Sequence, residues 1–115
     1  MNSGDIVLVH FPFTSLETTK KRPALILRQT SLGRRSQIFT VAMISSQIEG
    51  IKMEEDVYLK GWEEAKLLYP SLVRLSKIAT IEGELIEKVL GTVNKTDLNE
   101  IKKAFQQLYR FWLKG

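Results

Sequence analysis

Apolar and polar positions follow two periods along this chain, an extended-strand pattern through the first two thirds and a helical one at the end. Residues 5–11 are mostly β-branched or bulky, and Pro12 with the polar stretch 14–21 ends the run. This predicts a first strand followed by a long loop. Residues 23–27 and 37–44 predict two more strands, joined as a hairpin by a short connection that contains Gly33, Arg34 and Arg35. Residues 53–59 read as an edge strand. Residues 71–81 are predicted as the last strand, with Leu72, Arg74, Ser76 and Ile78 on one side and Val73, Leu75 and Lys77 on the other.

The tail changes period. Leu98, Ile101, Phe105, Leu108 and Trp112 recur at steps of three and four, which draws one apolar stripe along a helix. Thr96 is the predicted N-cap, with Asp97 in the first turn and Lys114 near the other end, both favourable to the helix dipole. Residues 84–90, bounded by Gly83 and Gly91, predict a shorter helix. Strands followed by a closing helix give an α+β, mainly β, class: a small, strongly bent antiparallel sheet, with a small barrel as first choice.

Composition narrows the chemistry. At 115 residues, without a linker or change of composition, the chain reads as one domain spanning residues 1–115. A formal charge of +4 and a pI of about 9.4 suit a polyanionic partner but also fit many basic soluble proteins. The absence of cysteine excludes disulfides, thiolate nucleophiles and cysteine-based metal sites. No signal peptide pattern and no long apolar run is visible, so the expected location is the cytoplasm, away from membranes.

The single histidine, His10, rules out a two-histidine acid/base pair and any multi-histidine metal site. It reads either as a partly buried strand residue or as a proton shuttle. Glu54, Glu55 and Asp56 are adjacent, whereas a divalent cation takes ligands converging from several elements, so no cofactor or metal is expected. Arginine, lysine and hydroxyl groups remain. These suit phosphodiester cleavage in which RNA supplies its own 2′-OH nucleophile and a guanidinium stabilises charge on the phosphoryl oxygens. The cluster Lys20, Lys21 and Arg22, with Arg22 held extended by the following Pro23, is the candidate source. Read alone, the same cluster fits a solvated basic loop.

The ordered set Gly4-Asp5-Ile6-Val7, Lys21-Arg22-Pro23-Ala24-Leu25-Ile26-Leu27, Ala42-Met43-Ile44-Ser45-Ser46-Gln47, Pro70-Ser71-Leu72-Val73-Arg74-Leu75 and Ile78-Ala79-Thr80-Ile81 resembles the MazF/PemK toxins. The resemblance implies an SH3-like barrel of the CcdB/Kid/MazF type with a terminal helix. It also implies a homodimer and a sequence-selective endoribonuclease of single-stranded RNA, held inactive by a cognate antitoxin of the MazE/PemI type. Operator DNA would be met only through that antitoxin. On the same resemblance, Arg22 corresponds to the family's catalytic arginine at the scissile phosphate. Ser45 stands where the family usually has threonine, which keeps the hydroxyl but loses the methyl that restricts its rotamer. Its other reading is a loop-start hydroxyl bonded to the backbone.

One branch of the family carries a second catalytic arginine followed two residues later by an aspartate base. Here the pattern reads Val73-Arg74-Leu75-Ser76. Arg74 is the match and reads as an acid or second electrostatic clamp, or as an ordinary ion-pair partner. Ser76 is no base near neutral pH, which leaves Glu17 or substrate-assisted proton transfer. Lys20, Lys21, Ser46 and Phe13 are the candidate RNA contacts, with Phe11 or Phe13 able to stack an unpaired base or to pack in a core. The competing reading is a non-catalytic relative that binds a protein such as gyrase, or only an antitoxin; retention of the Arg22-Pro23 step and of Ser45-Ser46 argues for RNA.

Overall fold

The computed structural model describes residues 1–12, 19–33, 36–50 and 52–114. The elements are β1 (Asp5–Pro12), β2 (Thr19–Leu32), β3 (Ser36–Ser45), β4 (Asp56–Tyr58), β5 (Leu72–Glu82), a 3-10 turn at Gly83–Leu85, β6 (Ile86–Thr92) and α1 (Lys95–Lys114). The strands form one sheet in the order β4-β5-β3-β2-β1-β6, and every neighbouring pair is antiparallel. The expected mainly β architecture with a C-terminal helix is present, and the segment 53–59 contributes an edge strand of three residues. The two edges, β4 and β6, do not pair with each other, so the sheet is curled but not closed into a barrel.

The middle strands are apolar in unbroken runs because both of their faces are covered. On β1, Ile6 enters one core with Leu25, Ala42, Ile44, Leu59, Val73, Leu75 and Ile101, while Val7, Val9 and Phe11 enter a second with Ala24, Ile26, Phe39, Val41 and Ile81. A strand buried on both sides has no polar face, which explains why its sequence does not alternate. The helix stripe is used unevenly: Ile101 is buried and Leu98 and Phe105 pack partly against the first core, but Trp112 near the end is 77% exposed.

Two expectations are corrected. Residues 84–90 form no α-helix; Glu84 and Leu85 lie in the 3-10 turn and residues 86–90 belong to β6, which pairs with β1 and makes β5 the penultimate strand. Seven residues are too few to hold a helix by themselves, whereas Ile86, Val89 and Thr92 suit a strand and the open edge of β1 supplies hydrogen bonds. The helix cap is Asn94, not Thr96: its Oδ1 accepts the backbone N–H of Asp97 at 2.8 Å. Among the described residues no helix is long and apolar enough to cross a membrane.

Candidate functional site

The site follows from the place where two strands part. The β2–β3 ladder runs in register from Ala24↔Met43 through Ile26↔Val41. Continuing that register toward the start of β2 sets Pro23 across from Ile44, Arg22 from Ser45 and Lys21 from Ser46. Pro23 has no N–H to carry the ladder onward, and the pairing stops there. Among the described strands, residues 19–23 are paired to β1, and their ladder with β3 does not continue past Ala24.

A groove of about 720 Å³ occupies this opening. Lys20, Lys21, Arg22 and Pro23 form one wall with Leu8, and Ser45, Ser46 and Gln47 form the second with Ile44. Lys88 and Leu90 of β6 and the connection from Lys66 to Ser71 complete it. Its described lining holds five cations (Lys20, Lys21, Arg22, Lys66, Lys88) and no carboxylate. Such a concentration of one sign attracts an anionic chain and raises its local concentration.

Arg22, Ser45, Lys20, Lys21 and Ser46, named from the sequence, are thus brought together. Lys20, Lys21, Arg22 and Ser46 are exposed and Ser45 is half-buried. Ser45 Oγ accepts the N–H of Gln47 at 3.1 Å. That bond uses an oxygen lone pair, so the hydroxyl proton can still be donated to a ligand. Phe13 and Glu17 lie outside the described residues.

Arg74 is not part of this groove. It lies on β5 opposite Asp56, and its Nη1 donates to Asp56 Oδ2 at 3.1 Å. The Asp56 side chain is fully buried and the same oxygen accepts the N–H of Met53 at 2.8 Å. A buried carboxylate is tolerated when paired and hydrogen-bonded, and the guanidinium supplies the pair. The Arg74–Asp56 ion pair is formed at the β4 edge.

Beyond these residues, the structure reveals a polar cluster at the groove's edge. His10 and Lys21 are register partners on β1 and β2, so their side chains share a face. Glu87 reaches both, with Lys21 Nζ at 2.8 Å and His10 Nε2 at 3.4 Å from its Oε1. Pairing between β6 and β1 shifts at this point, Leu8 facing Lys88 and Val9 facing Ile86. Glu87 is the extra residue of that bulge, which turns it to the face that Lys88 also uses. The hydrogen bond from Lys21, with the charges of Lys21 and His10, holds the Glu87 carboxyl below the usual carboxylate range. No regularity of the sequence announces this, because the bulge exists only once β6 pairs with β1.

Lys66, Lys88, Leu68 and Tyr69 join the groove without having been expected there. The one signal in the sequence is Leu67-Leu68-Tyr69-Pro70, an apolar run ended by proline, which reads as core until its exposure is known.

Comparison with solved structures agrees with this architecture. An endoribonuclease in complex with its cognate antitoxin, from a mycobacterial species, is similar with a TM-score of 0.66 and 15% identity, over 88% of this chain and 86% of that one. A second mycobacterial endoribonuclease is similar with a TM-score of 0.63 and 16% identity, over 90% of this chain and 88% of that one. At such identities the likeness is one of fold. No curated protein matches the sequence. The sequence profile of PemK-like, MazF-like toxins of type II toxin-antitoxin systems, however, matches residues 2–109. Nearly the whole chain, including both walls of the cationic groove, lies within that match, and the protein belongs to the PemK-like, MazF-like toxin family.

Proposed function

We propose that this toxin is an endoribonuclease that cuts single-stranded RNA in the groove between the ends of β2 and β3, without a metal ion. The observation that carries the reading is the juxtaposition of Arg22 and Ser45 at the point where the β2–β3 ladder opens. A guanidinium and a hydroxyl facing one cavity can bond two non-bridging oxygens of one phosphate. Both interactions strengthen as negative charge builds there during attack by the neighbouring 2′-OH. Bonding is then stronger in the transition state than in the ground state, which is the condition for acceleration. Lys20, Lys21 and Ser46 hold flanking phosphates and sugars. Arg74 acts as a positioning residue that neutralises Asp56 and seats β4.

The groove's described walls carry no carboxylate, which fits a reaction whose nucleophile belongs to the substrate and whose proton leaves through the RNA or solvent. The reading extends to partners: a cognate antitoxin, the kind of partner with which the mycobacterial endoribonuclease is in complex, would block the groove here, and operator DNA would be met only through it. We also propose a cytoplasmic homodimer, the dimer because Tyr109, Trp112 and Leu113 leave an apolar end on α1 and, among the described residues, no strand pairs with the outer edge of β4 or β6. Light scattering at micromolar concentration tests the dimer, and a monomeric mass refutes it.

The deciding experiment incubates long single-stranded RNA with wild type and Arg22→Ala in EDTA and identifies the new ends. Cleavage by wild type to a 2′,3′-cyclic phosphate, lost in the variant, is the expected result. Cutting that needs a divalent ion and leaves a 5′-phosphate refutes the mechanism.

A further inference from the structure

The connection between β4 and β5 lines the same groove as Arg22 and is tied to the rest of the fold at several points. Leu59, Ala65 and Leu67 are buried in the first core, and the N–H groups of Lys60 and Gly61 donate to the buried carboxylate of Asp97 at 3.1 and 2.8 Å. Gly91 on β6 passes so close that a Cβ there would collide with the carbonyl of Ala65. Lys66 adopts a left-handed conformation with φ 66°, a strained choice for a residue other than glycine.

The outcome of this anchoring is that Leu68 and Tyr69 stand 84% and 64% exposed in the wall of the groove. Tyr69 is further fixed, since Ser71 Oγ donates to its carbonyl at 2.8 Å and Pro70 restricts its backbone to extended values. A rigid support beneath an exposed aromatic ring, in a cavity lined by five cations, matches what a single-stranded polyanion with flat apolar bases requires. The cations take the phosphates, and the ring takes a base that has no Watson–Crick partner.

We propose that Tyr69 is a stacking platform for an unpaired base of the RNA bound in the groove, and that it contributes to selection of single strands. The proposal rests on the ribonuclease reading for its substrate class, but not on the chemistry of cleavage.

The test first maps a cleavage site, then uses an oligoribonucleotide centred on it, with 2′-O-methyl at the attacking position to prevent cutting. 2-Aminopurine replaces each flanking base in turn. Wild type is expected to quench one of these positions on binding. Tyr69→Ala should lose that quench and raise Kd about 5- to 100-fold, acting on KM and leaving the single-turnover rate at saturating protein within about threefold. Tyr69→Phe, which keeps the ring, should restore both quench and affinity. An unchanged Kd and quench in Tyr69→Ala, with wild type still cutting RNA, overturns the platform alone. Conversion of a wild-type dimer to monomer by Tyr69→Ala also overturns it, because the ring then belongs to a subunit interface. If wild type cuts no RNA, 2-aminopurine is placed instead in an unstructured single-stranded oligoribonucleotide, and a Tyr69-dependent quench there supports the platform and refutes the ribonuclease reading. Wild type that neither binds nor cuts overturns both.

Discussion

Removing the carboxylate of Asp97 should loosen the groove from behind. The residue is 1% exposed, in the first turn of α1, and its two oxygens accept the N–H groups of Lys60 and Gly61 across 37 and 36 residues of sequence. In Asp97→Ala both donors lose a charged acceptor. Hydrogen bonds to charged groups contribute about 1.5–3 kcal/mol each, so the pair sets a ceiling of about 6 kcal/mol. Lys60 N–H is only partly buried and can recover a water, whereas Gly61 N–H is buried and cannot. That places the cost near 3 kcal/mol, a large share of the 5–15 kcal/mol typical of a whole domain. Asp97→Asn keeps one acceptor oxygen but turns an amide NH₂ toward one donor, and should cost about 2 kcal/mol. Urea titration followed by circular dichroism reads this directly. With a slope of about 1.5 kcal/mol per molar, the Asp97→Ala midpoint should fall by about 2 M. At low temperature, where the variant remains folded, KM for RNA should rise as the Tyr69 wall loses its anchor. A loss below about 1 kcal/mol in both variants would show that the loop is held by other interactions, and the reasoning would be wrong.

Three further outcomes are expected. Arg22→Ala should slow single-turnover cleavage by about 10²- to 10³-fold with little change in binding, while Lys20→Ala with Lys21→Ala should chiefly weaken affinity and flatten its salt dependence by up to about 0.7 for each phosphate no longer neutralised; binding isotherms over a salt series separate the two. Ser45→Ala should cost less than Arg22→Ala, and Ser45→Thr should retain activity, since it keeps the hydroxyl and restricts its rotamer; a rate for Ser45→Ala equal to wild type removes the hydroxyl from the mechanism. Glu87 has a depressed pKa in the folded protein, so its bond to Lys21 is fully present above the usual glutamate value of about 4.3 and is lost as pH falls through the lower folded value. Glu87→Gln should therefore imitate low pH at neutrality, freeing Lys21 to neutralise about one more phosphate, raising RNA affinity a few-fold and steepening the salt dependence; unchanged affinity and slope would show that Lys21 does not meet RNA.

Much of this protein is written in local pattern. The apolar runs of β1 and β3, the proline that follows Arg22 and the stripe from Leu98 to Phe105 are visible because a strand covered on both faces is apolar throughout and a helix covered on one side repeats every 3.6 residues. The motif segments carried the family and named Arg22 and Ser45. Only the tertiary structure decided what those residues face. Arg22 and Ser45 line one groove because the antiparallel β2–β3 register brings near each other positions 23 apart in the chain, and the ladder ends just before them. Arg74 meets Asp56 instead, since a three-residue edge strand lies beside β5 and brings a buried carboxylate within reach. The segment from Gly83 to Gly91 has few residues and no strong period, so an open edge on β1 chose strand over helix. Asp97 reads locally as a charge suited to a helix dipole, yet its oxygens are spent on a distant loop. Exposure of Tyr69 likewise follows from the packing that holds Ala65 against Gly91 and Leu67 in the core. Periodicity records which neighbours in sequence share a face; it holds no record of which distant segments meet, and that is where the groove is made.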